Sequence, residues 1–299
     1  MNTAINSPCH LCPRDCGTER SRQKGYCQCG ADIKLALAAP HLWEEPCISG
    51  TRGSGAVFFS GCTLRCCYCQ NMDISANGFG KEISIQRLAE IFLELQAKGV
   101  HNINLVTADM YLPQVLGALD MAKPRLHIPV VYNCSGYQRT ETVRALKGYA
   151  DVYLPDLKYY SPELSEKYSK AANYFAVASQ ALMEMAAQTE GLVFDVEGML
   201  VKGMIVRHLV LPGCRNDSIA LLRWLADSLS GEKFMLSLMC QYTPINWAGL
   251  PKALMRRVTS MEYDSVVNEA VKLGLTRGYM QKRGSAQKEY TPHFDLNGV

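Results

Sequence analysis

The chain has 299 residues, 48% of them hydrophobic and 20% charged, with a net charge of +3. That length and apolar content suit one large globular domain, or a domain with a small appendage, able to bury a sizeable core. A charge so close to neutral, with no basic run interleaved with aromatics, argues against a nucleic-acid partner.

Residues 1–48 stand apart as a cysteine-rich module with little apolar periodicity, distinct from a main unit over 49–299 that ends in a C-terminal extension. The opening MNTAINSPCHLC lacks the basic-then-apolar pattern of a secretory leader. No apolar run reaches the roughly 18 residues of a membrane span. The expected location is therefore the cytoplasm, away from membranes. There, thirteen cysteines are better read as metal ligands and buried thiols than as disulfides.

An alternation of elements follows. GAVFFSGC (55–62) reads as a first strand ending in a loop. Leu88, Ile91, Phe92 and Leu95 then mark one face of a helix, with Ser84 placed to cap it. HNINLVT (101–107) is the second strand, and a helix follows near 112–121. IPVVYN (128–133), DVYLPDLK (151–158), MIVRHLVLPG (204–213) and FMLSLMC (234–240) are further strands, and 163–190 holds more than one helix. Thr259 to Glu262 fits a capping box ahead of the stripe Tyr263, Val266, Val267, Ala270 and Val271. Six strands alternating with helices predict a parallel α/β sheet, with function at the C-terminal ends of the strands.

The cysteines concentrate where that rule points. Cys62, Cys66 and Cys69 follow strand one with the spacing C-x3-C-x2-C. Three thiolates on one loop can hold three corners of a cubane iron–sulfur cluster and leave one iron open. Cys67, crowded between Cys66 and Tyr68, is read as a spare thiol. Cys9, Cys12, Cys16 and Cys27 form C-x2-C-x3-C-x10-C, with Cys29 as an alternative to Cys27. Four such thiols suit zinc or an auxiliary iron–sulfur cluster. The glycines of SGTRGSGAV precede a strand rather than open a helix, which disfavours a dinucleotide loop. The six histidines show no paired spacing.

GCTLRCCYCQN resembles the signature loop of the radical S-adenosylmethionine (radical SAM) enzymes. Together with GTRGSGAVFF, VYLPDLKYY and VRHLVLPG, it resembles in particular the pyruvate formate-lyase activating enzymes and their stand-alone relatives with a cysteine-rich N-terminus, over about residues 9–299. The resemblance implies a partial (β/α)6 barrel. It also implies a 4Fe–4S cluster on Cys62, Cys66 and Cys69 that binds S-adenosylmethionine at its open iron. Reductive cleavage there would yield a 5′-deoxyadenosyl radical able to take hydrogen from a substrate, with a glycine in a peptide or protein favoured over a small molecule. An electron donor such as flavodoxin or ferredoxin is implied as partner.

The resemblance also distributes roles. Tyr68 would lie near the adenine, and Lys158, with Asp156, near the methionine end of the cofactor. Arg207 would approach the cofactor as well. Ser135 and Gly136 match the family's Asn-Gly turn near the ribose, with Asn133 a competitor. The Gly-Gly-Glu found in many members is replaced here by VTADMYLP. Backbone carbonyls at Thr107 and Ala108 would then take the methionine amine, and Asp109 the place of the acid. Asp156 and Lys158, two apart on a strand, share a face whatever the family. The alternative reading is a non-catalytic iron–sulfur carrier or zinc-stabilised binding protein, which would need four ligands per cluster and no polar pocket.

Overall fold

The computed structural model describes residues 8–281 and 292–299. The start of the N-terminal module and part of the C-terminal extension lie outside the described residues.

The sheet begins earlier than composition suggests. β1 (Ile33–His41) lies within the stretch assigned to the N-terminal module. It nevertheless pairs antiparallel with β2 (Ser54–Phe59), setting Leu37 opposite Phe58. Between them, α1 (Pro46–Ser49) is a single turn started by proline at a position where the missing N–H costs nothing. After α2 (Met72–Ser75), the short β3 (Lys81–Ile83) pairs with the free side of β1.

From β2 the alternation runs as predicted. α3 (Ile85–Ala97) starts at Ser84, whose Oγ accepts from the Arg87 amide at 3.0 Å. Then come β4 (Ile103–Val106), α4 (Leu112–Ala122), β5 (Val130–Cys134), α5 (Thr140–Ala145) and β6 (Val152–Pro155). The stretch 163–190 holds two helices, α6 (Pro162–Ser169) and α7 (Tyr174–Thr189), separated at Lys170 by a left-handed φ of 52°. A two-residue β7 (Val193–Phe194) folds back on β8 (Leu200–Leu209). α8 (Arg215–Ser228), β9 (Met235–Met239) and α9 (Ser260–Lys272) follow, and α9 carries the expected capping box of Thr259 and Glu262. β10 (Gly278–Met280) adds one more parallel strand beside β9.

The strands lie in the order β10–β9–β8–β6–β5–β4–β2–β1–β3, parallel from β10 to β2. The end strands β10 and β3 are not neighbours in this path, so the α/β barrel is partial and open on one side. Among the described residues, no helix is long and apolar enough to cross a membrane.

Two separate interiors follow from strand alternation. Tyr132, Tyr153, Val206 and Leu236 face the helices and join the main core. Val131, Val152, Leu154, Ile205 and Met235 face the concave side, where they pack with Cys47 and Ile48 of α1. The single turn of α1 thus plugs the inside of the sheet. Two residues further along each strand the concave face turns polar, with Asn133 after Val131, Asp156 after Leu154, Arg207 after Ile205 and Ser237 after Met235. That ring is the floor of the site.

Candidate active site

A cavity of about 610 Å³ opens at the C-terminal ends of the strands. Cys62, Cys66, Cys69, Tyr68, Thr107, Asn133, Ser135, Asp156, Lys158 and Arg207 all line it. Side chains drawn from five strands and their following loops therefore meet in one space.

The cysteine loop is clamped from behind by the N-terminal module. The Cys62 amide donates to the Cys27 carbonyl at 3.3 Å. Arg14 donates to the carbonyls of Thr63 at 2.8 Å and Ser169 at 2.7 Å. Gly61, at φ 96°, must be glycine, because a Cβ there would collide with Cys29 Sγ. Each thiol of the triad has a donor at its sulfur: the Leu64 amide at Cys62 (3.4 Å), Ser169 Oγ at Cys66 (2.9 Å) and Ser75 Oγ at Cys69 (3.3 Å). Burial, and then the neighbouring Cys66, push the Cys62 thiol up to about 12. A metal must displace that proton to use the sulfur. Three thiols, Cys66 buried and Cys62 and Cys69 half-buried, with donors aimed at sulfur fit a cluster whose thiolates carry charge.

Cys67 faces elsewhere. It does not line the cavity, its amide donates to the Tyr168 carbonyl at 2.8 Å, and Lys170 and Lys167 act on its thiol. Among the described residues, no three Cys, His, Asp or Glu side chains stand close enough to share a single metal ion. A cubane spreads its thiolates more widely than one ion does. The N-terminal thiols are nevertheless neighbours: Cys27 and Cys9 both act on Cys12, whose thiol burial pushes up to about 12, and Cys27 acts on Cys16. They are gathered, but not in a finished tetrahedron. Cys29, the alternative ligand, is hydrogen-bonded to the Cys27 and Ser60 carbonyls, each at 3.4 Å.

The polar ring is organised by Asp156. Its Oδ2 lies 2.6 Å from Lys158 Nζ and its Oδ1 accepts from Arg207 Nε at 2.8 Å. Burial alone would raise this carboxyl, but Arg207 and then Lys158 outweigh burial and hold it below the ordinary carboxylate range. Arg207 spends its other nitrogens on Glu44 Oε2 at 3.0 Å and Asn133 Oδ1 at 2.6 Å. Asn133 in turn donates to Glu44 Oε1 at 3.1 Å.

Arg207 and Asn133 thus line the cavity as members of this ring. Ser135 lines the cavity beside Gly136, whose φ of 77° and close approach to the Asp156 carbonyl exclude a side chain.

Asp109 is not brought to the cavity lining. It is buried away from the cavity, its Oδ1 taken by the Tyr132 hydroxyl and by Gln138 Nε2 at 2.9 Å. Ala108 is buried as well and does not line the cavity. Thr107 does line it, with a left-handed φ of 58° that a β-branched residue adopts only under strain. Tyr68 is buried at the cavity wall, where its hydroxyl accepts from Tyr159 at 2.7 Å and its ring meets Tyr242 edge-on at 6.1 Å.

Sequence reasoning missed Trp43, Glu44 and Glu45, which enter the cavity just ahead of α1. The local signal is an acidic pair before a proline, which reads as an ordinary helix start.

The Radical SAM superfamily profile matches residues 56–187, the stretch that carries the cysteine loop, Thr107, Ser135 and Lys158. An uncharacterized protein of Methanocaldococcus jannaschii is 30% identical over 278 residues, covering 89% of this chain and 75% of that one. The chain belongs to the radical SAM superfamily. It is thus an enzyme of that superfamily, whose cofactors are a 4Fe–4S cluster and S-adenosylmethionine, and not the non-catalytic carrier weighed above.

Among solved structures, the radical SAM chain is similar to methylornithine synthase PylB, at a TM-score of 0.48 and 14% identity over 73% of this chain and 60% of that one. Streptococcus suis SuiB bound to S-adenosylmethionine aligns at a TM-score of 0.43 and 11% identity, over 77% of this chain and 46% of SuiB. The chain spans less than two thirds of the length of either structure.

Proposed function

We propose that this radical SAM enzyme takes hydrogen from a backbone glycine of a peptide or protein, in the manner of an activating enzyme, with a flavodoxin or ferredoxin as electron donor. The observation that supports a peptide is the open side of the cavity. Past β9 the wall is the irregular chain of Gln241 and Tyr242 and the three-residue β10, whose Tyr279 lines it, rather than a full-length strand. Cys240, just past the end of β9, bonds through its amide to Gln281 Oε1 at 3.0 Å and does not line the cavity.

In this reading Cys62, Cys66 and Cys69 hold the 4Fe–4S cluster. When bound, cluster and S-adenosylmethionine supply a one-electron reduction and a 5′-deoxyadenosyl radical. The chain's own residues orient and shield that chemistry. Lys158 keeps unused N–H donors beyond its bond to Asp156 and pairs with the methionyl carboxylate. The strained Thr107 presents its carbonyl to the amine. Ser135 bonds the ribose, and Tyr68 packs on the adenine. Cys9, Cys12, Cys16 and Cys27 bind zinc or an auxiliary cluster that stiffens the back of the loop.

Deuterium transfer tests the substrate class. Reconstituted enzyme is incubated with proteins from cells grown on deuterated glycine, and separately with the small-molecule fraction. Label in 5′-deoxyadenosine from the protein fraction supports the proposal. Label from the small-molecule fraction alone would overturn it.

A further inference from the structure

The cavity holds one acid that is only partly answered: the Ser237 hydroxyl bonds the Glu45 carboxyl and Arg207 acts on it through space, but one of its oxygens has no partner among the described residues. Glu44 is fully engaged: Oε2 accepts from Arg207, and Oε1 accepts from Asn104 and Asn133, each at 3.1 Å. Glu45, its neighbour, is only 8% exposed and lines the same cavity. Its Oε2 is buried without a hydrogen-bond partner among the described residues. The position is the N-cap of α1, yet the side chain makes no capping bond.

Among the described residues, no cation hydrogen-bonds that oxygen. Arg207 bonds Asp156, Glu44 and Asn133, and Lys158 bonds Asp156. Among the described lining residues Glu44, Glu45 and Asp156 are the acids, against Lys158, Arg207 and His41, whose imidazolium burial disfavours. Burial pushes the Glu45 carboxyl up, with Arg207 only partly opposing. A buried carboxylate stays ionised when a charge or strong donor is brought to it. The ligand that suits this position therefore carries a positive charge and N–H groups.

We propose that Glu45 anchors a cationic N–H group of the substrate, an ammonium or guanidinium, at the floor of the cavity. The inference rests on the reading that substrate and cofactor share this cavity. It adds the chemistry by which the substrate is chosen. α1 makes the anchor rigid, since Cys47 and Ile48 are packed against the concave face directly behind it.

The test is calorimetric titration of the reconstituted holoenzyme, with S-adenosylmethionine bound, against three probes. These are the blocked tripeptides N-acetyl-Gly-Lys-Gly-amide and N-acetyl-Gly-norleucine-Gly-amide, and n-butylammonium. The lysine peptide should bind at least about tenfold more tightly than its uncharged isostere, the scale of a charge-assisted bond. Glu45→Gln should abolish that preference, and Glu45→Asp should keep part of it. Equal binding of lysine and norleucine peptides by the wild type would overturn the proposal whatever the variants do. So would a full lysine preference retained in Glu45→Gln.

Stronger binding of the lysine peptide than of n-butylammonium would place the cation on a peptide. Equal binding of those two would place it on a small molecule, and a Glu45-dependent preference upholds the anchor in either case. Formation of 5′-deoxyadenosine by the wild type, measured in the same samples, tests the radical reading separately. Cleavage without a cation preference would overturn this inference alone.

Discussion

Arg207 Nη1 lies 3.0 Å from Glu44 Oε2, joining β8 to the segment just ahead of α1 across 163 positions of sequence. The same guanidinium reaches Asp156 and Asn133, so one side chain ties β5, β6, β8 and the α1 plug into a ring. Removing it would take from the largely buried carboxylates of Glu44 and Asp156 the cation they share. Arg207→Ala should therefore destabilise the fold by about 3–5 kcal/mol, as loss of one partner from a buried ion pair does. Urea denaturation measures this, and a loss below about 1 kcal/mol would mean the ring is solvated like an exposed pair.

Lys158→Ala should weaken S-adenosylmethionine binding about tenfold to a hundredfold while the iron content of the reconstituted protein stays at the wild-type level. The figure corresponds to one charge-assisted bond of about 1.5–3 kcal/mol. Calorimetry with S-adenosylmethionine checks it, and unchanged affinity would remove Lys158 from the cofactor site.

Replacing Cys62, Cys66 and Cys69 together by Ala should abolish both the brown colour of the reconstituted protein and 5′-deoxyadenosine formation. Cys67→Ala should preserve both, because that thiol points away from the cavity. Loss of the cluster in Cys67→Ala would make it a ligand after all.

The triple variant should still bind metal. Cys9, Cys12, Cys16 and Cys27 lie behind the loop rather than in it, so elemental analysis should find about one zinc, or the iron of one auxiliary cluster. A folded, metal-free triple variant would show that these four thiols hold nothing.

Glu262 gives a pH signature far from any cysteine triad. Its carboxylate accepts from the amides of Gly213 at 2.7 Å and Thr259 at 2.8 Å, and from Arg256 at 2.6 Å. The Arg256 bond is the main cause that holds it below its ordinary value of 4.5 in the folded state. A depressed folded value means that its stabilisation is present above about 4.5 and is lost as pH falls below it. Glu262→Gln should cost about 1.5–3 kcal/mol at neutral pH, and the gap to wild type should narrow steadily on acidification. A gap independent of pH would contradict the ionised network.

Much of this was legible in the sequence because it is local. A buried strand is a short apolar run, a helix face repeats every three to four residues, and three ligands on one loop keep their spacing however the chain folds. Those signals located β2, β4, β5, β6, β8 and β9, the capping of α3 and α9, and the cysteine triad. They also put Asp156 and Lys158 on one face, since alternation along a strand is a property of the backbone itself.

Periodicity, however, tells core from water, and this barrel has two interiors. Asn133 and Tyr132 are adjacent and both buried, yet one faces the cavity and the other the helices. No local pattern could keep Asp109 out of the cavity lining, or gather Arg207, Asn133 and Glu44 into one ring. β1 was hidden for a related reason: cysteines and glycines before it mask a strand whose partner lies beyond α1. The acidic pair Glu44 and Glu45 acquires meaning only when α1 fills the concave face, because what separates the two side chains is which of them Arg207 can reach. Composition, strand order and the metal-binding loop belonged to the sequence. Which acid keeps a buried oxygen without a partner was decided by the closing of the sheet around it.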